Sequence, residues 1–229
     1  MNWPETIGER WREVRARVTE ACATAGRSPD SVTIIAVSKT HPAAAIREAL
    51  AAGATDFGEN YAQELATKMT EVVDPRIRWH FIGRLQSNKA KLVAGKVALV
   101  HAVDSASLGA ELGKRAAGVV QPVLISVNIA GEATKGGVSP ADAPALARSL
   151  AATSGIRLDG LMTMPPPSED PEASRPAFEA LAALRDRLAA DLGLPLPVLS
   201  MGMSGDYEVA IAAGATHVRV GTAIFGVRE

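Results

Sequence analysis

Eight short β-branched runs, each followed by a helix-prone stretch or a turn-rich segment, constrain this 229-residue chain more than any other feature. The runs are VTIIAVSK (32–39), ATDFGEN (54–60), RWHFIG (78–83) and ALVHAVD (98–104), then QPVLISVNI (121–129), IRLDGLMTM (156–164), PVLSMG (197–202) and HVRVGTAIFG (217–226). Between them, Ala-, Leu- and Glu-rich stretches such as PAAAIREALAAG (42–53) and RPAFEALAALRDRLAADLG (175–193) repeat apolar residues with a period near 3.6. Strand then helix, eight times over, has one economical solution: parallel strands joined by right-handed crossovers. The expected fold is therefore α/β, a single (β/α)8 barrel of the TIM type. An open doubly wound sheet would place a glycine-rich fingerprint after the first strand, and AVSKTHP contains no glycine.

Residues 4–25 put Trp11, Val14, Val18 and Cys22 at helical spacing with Arg and Glu between them. That predicts an amphipathic leading helix, filling the segment 1–26, packed on a barrel that takes up the rest of one domain, 1–229. The proline cluster MPPPSEDPEASRP (164–176) is long enough to shape the rim of a site and too short to separate domains.

Composition narrows the function classes. Twenty-four basic and twenty-five acidic residues leave a formal charge of −1, so no overall field recruits nucleic acid or a membrane surface. The local basic run Arg84, Lys89, Lys91 and Lys96 reads as a solvated face by default. A single cysteine, Cys22, excludes an internal disulfide and reads as a buried structural thiol. The N-terminus lacks the apolar core of a secretory signal, and no 18-residue apolar stretch is present. A cytoplasmic protein is expected. Closed barrels bury their own sheet edges, so a monomer is expected too.

In such barrels chemistry sits at the C-terminal ends of the strands. Three features stand out there. Lys39 closes the apolar run VTIIAVS; desolvation at a dry barrel mouth favours the neutral amine that condenses with an aldehyde. A lysine at that place could equally snorkel to solvent. The loops after strands 7 and 8 are the usual phosphate-binding loops of the fold. Here Ser204 is placed as an N-cap, Gly205 allows close backbone approach, and strand 8 delivers Gly221 and Thr222. Read singly, Ser204 is an ordinary cap and Gly221 a packing glycine. Arg219 shares the interior side of strand 8 with Gly221 and needs an acceptor there, either a pyridine nitrogen or a carboxylate from a neighbouring strand.

These features resemble the N-terminal barrel of alanine racemase, and more closely the pyridoxal phosphate homeostasis protein family (the YggS or PROSC family). The resemblance rests on AVSKTHP (36–42), FGENYAQEL (57–65), WHFIGRLQSNK (79–89), VNIAGEATKGGV (127–138), GLMTMPP (160–166), LSMGMSGDYEVAI (199–211) and VRVGTAIFG (218–226). It implies pyridoxal 5′-phosphate carried as a Schiff base on Lys39. It also implies phosphate contacts from Ser204, Gly221 and Thr222, an Arg219 facing the ring nitrogen, and Asn60 and Met203 beside the cofactor; Gly205, a cofactor contact on the residue reading above, is a minor departure from the family pattern. Under it, His80 and Met162 could pack below the ring, although core packing is the default role for each, and Lys135 has no assigned role. The implied function is storage, buffering or delivery of the cofactor, with pyridoxal phosphate-dependent apoenzymes as transient partners, no catalytic residues and no metal.

The alternative is a weak racemase. Racemisation needs acid–base groups on both faces of the substrate, and in racemases a second domain supplies a tyrosine. This chain ends directly after strand 8, and its two tyrosines, Tyr61 and Tyr207, are not evidently placed to do so. A phosphosugar aldolase using the same lysine is the third reading.

Overall fold

The computed structural model describes residues 5–132 and 136–226; Lys135 and the first four residues of the predicted leading segment lie outside them. The chain opens with α1 (Ile7–Thr24), started by a reciprocal cap between Thr6 and Glu9. Its buried face carries Trp11, Val14, Val18 and Cys22, as the spacing predicts. Burial pushes the Cys22 thiol up from its ordinary pKa, in keeping with a structural role.

Eight strands follow: β1 (Thr33–Val37), β2 (Asp56–Glu59), β3 (Arg78–Phe81), β4 (Leu99–Val103), β5 (Gln121–Ser126), β6 (Ile156–Met162), β7 (Val198–Ser200) and β8 (His217–Val220). All pairings are parallel, neighbours in sequence are neighbours in the sheet, and β1 pairs with β8 from Thr33–His217 to Ala36–Val220. The barrel is closed. The connecting helices are α2 (Ala43–Ala51), α3 (Ala62–Glu71), α4 (Ala106–Arg115), α5 (Ala143–Ala151), α6 (Arg175–Leu192), α7 (Tyr207–Ala212) and α8 (Thr222–Phe225).

Two details depart from the sequence reading. The β3–β4 crossover is a 3-10 helix over Ser87–Leu92 rather than an α-helix; the short SNKAKLVAGK stretch turns back at Gly95, which has a φ of 73°. HVRVGTAIFG is also not one strand. It is β8 up to Val220, a break at Gly221, then α8.

Apolar burial is divided in two. The larger cluster lies between sheet and helices, with Phe57, Leu65, Leu112, Ile125, Phe178 and Ile211 among its members. A separate cluster drawn only from strands, Leu99, Ala102, Leu124, Met162 and Val198, fills part of the barrel interior. The rest of that interior is polar: His80, His101, Ser200 and Arg219 are all buried.

Candidate functional site

At the C-terminal mouth of the barrel lies a cleft of about 390 Å³. Lys39, Asn60, Met203, Ser204, Gly205, Arg219, Gly221 and Thr222 all line it, together with Ile82, Gly83, Met162 and Met164. Strand ends scattered over 180 residues of sequence are thus brought to one wall. His80 does not line it; it sits below, inside the barrel.

Lys39 is half-buried and follows directly on β1. Its two flanking peptides are held from outside the cleft. Lys68, on α3 and 4% exposed, donates from Nζ to the carbonyl of Ser38 at 2.7 Å, to Glu59 Oε1 at 2.8 Å and to Glu64 Oε1 at 2.6 Å. Ser38 Oγ donates to the same Glu59 oxygen at 2.6 Å, and the Thr40 amide donates to Glu64 at 2.5 Å. Thr40 adopts a left-handed φ of 67°, unfavourable for a threonine, and Glu64 takes the amide of that turn. Burial pushes the Glu59 carboxyl up, against the hydrogen bonds from Lys68 and Ser38 that draw it down. The sequence reading missed this clamp. Its one visible signal is the Glu64–Lys68 pair at i,i+4.

The β7 and β8 loops meet through Ser204. Its hydroxyl oxygen accepts from the Gly221 amide at 3.2 Å and the Ala223 amide at 3.3 Å. Ser204 is therefore not the N-cap of α7, as the sequence suggested: α7 starts three residues later, after Asp206. Instead it ties the loop after β7 to the first turn after β8, because Asp206 turns back to accept the Met203 amide at 2.7 Å and folds the loop upon itself. A hydroxyl that accepts two amides has its own proton left to donate. Among the described residues, no protein acceptor takes the amides of Ser204, Gly205 or Thr222. Gly205 has open space where a Cβ would stand, so close backbone approach is not what requires glycine there. Gly83 is the constrained one: a Cβ would lie 2.2 Å from the carbonyl oxygen of Asn60.

Arg219 is 5% exposed. It donates to Ser200 Oγ at 2.7 Å and to the Thr163 carbonyl at 2.9 Å, and no carboxylate among the described residues forms an ion pair with it. Burial draws its guanidinium down to about 10, opposed by the charge of Asp206. Of five N–H donors, three have no protein acceptor among the described residues. A cation buried in that state is costly unless something else accepts from it.

These features fit a phosphorylated aldehyde of pyridine. Three amides and two hydroxyls, from Ser204 and Thr222, suit a phosphate. A lysine held by its flanking peptides suits the aldehyde, and a buried arginine suits a ring acceptor. A second cavity, about 550 Å³, opens next to the cleft and shares Arg84 and Asp104 with it. It is lined by Tyr61, Gln63, Gln86 and Lys89 among others, and Arg84, 81% exposed, stands 3.8 Å from Asp104. Of the basic run, Lys91 and Lys96 are exposed, as a solvated face requires.

The barrel and its mouth together define the cofactor barrel of alanine racemase type: the family model described as alanine racemase, N-terminal domain, matches residues 12–229. The alanine racemase of Corynebacterium glutamicum shares the fold at a TM-score of 0.67 and 19% identity, over 95% of this chain and 61% of that one. Much nearer are a pyridoxal phosphate homeostasis protein of Pseudomonas aeruginosa and the structure of PipY from Synechococcus elongatus with PLP bound. The first is 48% identical over 226 residues, covering 98% of this chain and 96% of the relative. The second superposes with a TM-score of 0.85 at 37% identity, over 96% of this chain and all of that one. The chain belongs to the pyridoxal phosphate homeostasis protein family.

Proposed function

We propose that this protein holds pyridoxal 5′-phosphate in the cleft at the barrel mouth, attached through Lys39, and stores, buffers or delivers it inside the cell. The observation that carries the reading is Arg219: a buried cation with no carboxylate partner among the described residues, on the wall of a cleft that also presents amides of Ser204, Gly205 and Thr222 without protein acceptors. When bound, the cofactor supplies an aldehyde that condenses with a neutral amine, with loss of water, and a conjugated pyridine ring.

Each of the cleft residues would have a task in that arrangement. Lys39 Nζ would hold the aldehyde carbon, and the Lys68–Glu59–Glu64 clamp fixes the backbone from which it reaches. The amides of Ser204, Gly205 and Thr222, with the hydroxyls of Ser204 and Thr222, hold the phosphate; Gly221 gives its own amide to Ser204 and so shapes the cup. Asn60, seated against Gly83, and Met203 flank the ring. Arg219 would donate to the ring nitrogen and, as a cation, would keep a proton off it. That weakens the ring as an electron sink, which suits a holder better than a catalyst.

A carrier is favoured over a racemase by the placement of both tyrosines. Tyr207 is buried in α7 with its hydroxyl away from the cleft, its pKa raised to about 12 by burial. Tyr61 is exposed and lines the neighbouring cavity. Neither can serve the second face of a substrate in the cleft. The barrel with α1 packed on it is then one cofactor-binding unit that acts as a monomer in the cytoplasm and meets pyridoxal phosphate-dependent apoenzymes transiently. No helix of the described residues is long and apolar enough to cross a membrane.

The test is titration with pyridoxal 5′-phosphate, borohydride reduction and peptide mapping. A pyridoxyl group on Lys39 supports the reading. A colourless protein that takes up no cofactor, or a group mapped to another lysine, overturns it.

A further inference from the structure

One residue from each of five strands joins in a hydrogen-bonded column down the barrel axis. From the top, Arg219 NH1 donates to Ser200 Oγ (2.7 Å), Ser200 Oγ lies 2.8 Å from His101 Nδ1, and His101 Nε2 lies 3.0 Å from His80 Nδ1. Below, His80 Nε2 lies 3.0 Å from Asp56 Oδ1. Asp56 Oδ2 accepts from Arg78 at 2.6 Å and from the Thr55 hydroxyl at 2.9 Å. Asp56, Arg78, His80 and His217 line a small cavity at the N-terminal mouth, so the lower end of the column meets solvent. The histidines and Asp56 do not form a metal-holding group among the described residues.

The Asp56 carboxylate only accepts, and with both rings neutral that fixes the direction of every link above it. Ser200 Oγ accepts from Arg219, so its proton is free to go to His101 Nδ1. His101 then carries its hydrogen on Nε2 and gives it to His80 Nδ1. His80 in turn carries its hydrogen on Nε2 and gives it to Asp56. This is the one polarity that leaves both rings neutral and every link with one donor and one acceptor. The opposite polarity would set a bare His80 Nε2 against the Asp56 carboxylate unless an extra proton entered there. Burial, then the charges near His80, His217 and Arg219, holds His101 well below the ordinary histidine range. His217 faces both rings from β8, at centroid distances of 6.1 and 6.2 Å, and is itself drawn down to about 4 by burial. Asp206 is the charge that faces Arg219 from the β7 loop.

Building on the cofactor reading above, we propose that Ser200, His101, His80 and Asp56 are positioning residues: their one-way hydrogen-bond column fixes the lone pair that Ser200 offers to Arg219, and thereby the plane in which the guanidinium meets the cofactor ring.

The test has two arms. Nitrogen-15 NMR of the protein without cofactor reads the tautomers directly: the column requires His80 and His101 both to be neutral with hydrogen on Nε2. Hydrogen on His101 Nδ1, or an imidazolium at His101 at neutral pH, overturns it. The second arm compares His101→Asn, whose amide oxygen replaces Nδ1 as acceptor for Ser200, with His101→Leu, which offers none. Both break the link to His80 and are matched for folding by melting temperature. The proposal expects His101→Leu to shift the visible absorption of the bound cofactor and weaken binding about tenfold, as loss of one hydrogen bond to a charged group would. His101→Asn is expected to stay near the parent protein. Equal spectra and affinities for the two variants overturn the proposal. Should the parent protein take up no cofactor, the site reading fails, while the tautomers still decide the column on their own.

Discussion

The two mouths of the barrel treat charge in opposite ways. At the N-terminal mouth the charges are matched: Arg78 with Asp56, and Arg157 with Asp159 through two hydrogen bonds. At the C-terminal mouth Arg219 has no carboxylate among the described residues, and the amides of Ser204, Gly205 and Thr222 have no protein acceptor. A fold selected only for stability would close both ends in the first manner. The upper end keeps donors that an anion with a ring acceptor would satisfy.

The contrast breaks most sharply at Lys39. Lys39→Ala is expected to abolish the borohydride-fixed adduct entirely while far-ultraviolet circular dichroism and melting temperature stay close to the parent values; unfolding of the variant would make the lysine structural. Arg219→Met comes next. Replacing this buried cation by an apolar side chain of similar length relieves its desolvation but leaves Ser200 and the Thr163 carbonyl without their donor, so stability is expected to change by about 2 kcal/mol or less, while affinity, with Arg219 meeting the cofactor ring as proposed, is expected to fall roughly 10- to 100-fold by fluorescence titration. A pronounced loss of stability with unchanged affinity would move Arg219 to the class of the lower mouth.

The acid limb of stability is the third. His217 is a base whose folded pKa, about 4, lies below its ordinary 6.5, so protons bind the unfolded chain first. Its contribution is present above about 6.5 and is lost as pH falls towards 4, a loss of about 3 kcal/mol, with His101 acting in the same direction. Asp56 continues the decline lower down. Burial raises its carboxyl, but the bonds from His80 and Arg78 prevail and hold it below the ordinary range, so its contribution disappears as pH falls through that lowered value. Chemical denaturation between pH 7 and 4 should show the decline, and a flat profile would contradict the neutral interior. Smallest is Arg157→Ala. Its side chain is 62% exposed, and the change is expected to cost under about 1 kcal/mol and leave cofactor affinity unaltered.

What could be read in the sequence was what depends on period and strand position. The eight runs, the leading helix and the interior side of Arg219 follow from side-chain alternation and 3.6-residue spacing, which tertiary packing respects here. The eight expected site residues meet in one cleft for the same reason: each lies near the C-terminal end of β1, β2, β7 or β8 or in the loop that follows, and a closed parallel barrel collects those ends. Illegible were features set by contacts distant in sequence. Ser204 looked like a cap for the next helix, yet its oxygen is claimed by Gly221 and Ala223 across the β7–β8 gap. VRVGTAIFG is a short apolar run bounded by glycine and reads as one strand, but the break at Gly221 turns its second half into a helix. The Lys68 clamp showed only as the Glu64–Lys68 spacing, and the histidine column left no periodic trace, because partners 21 to 99 residues apart, such as His80–His101 and His101–Ser200, do not show in a local pattern.

The cleft is a phosphate site only if a phosphorylated ligand meets the backbone between the β7 and β8 loops. Amide proton and nitrogen shifts, followed while pyridoxal 5′-phosphate and then unphosphorylated pyridoxal are titrated in, read this directly. The expected result is that Ser204, Gly205 and Thr222 move with the phosphorylated form alone. Shifts gathered instead around Arg84 and Lys89, or at the N-terminal mouth, would contradict it.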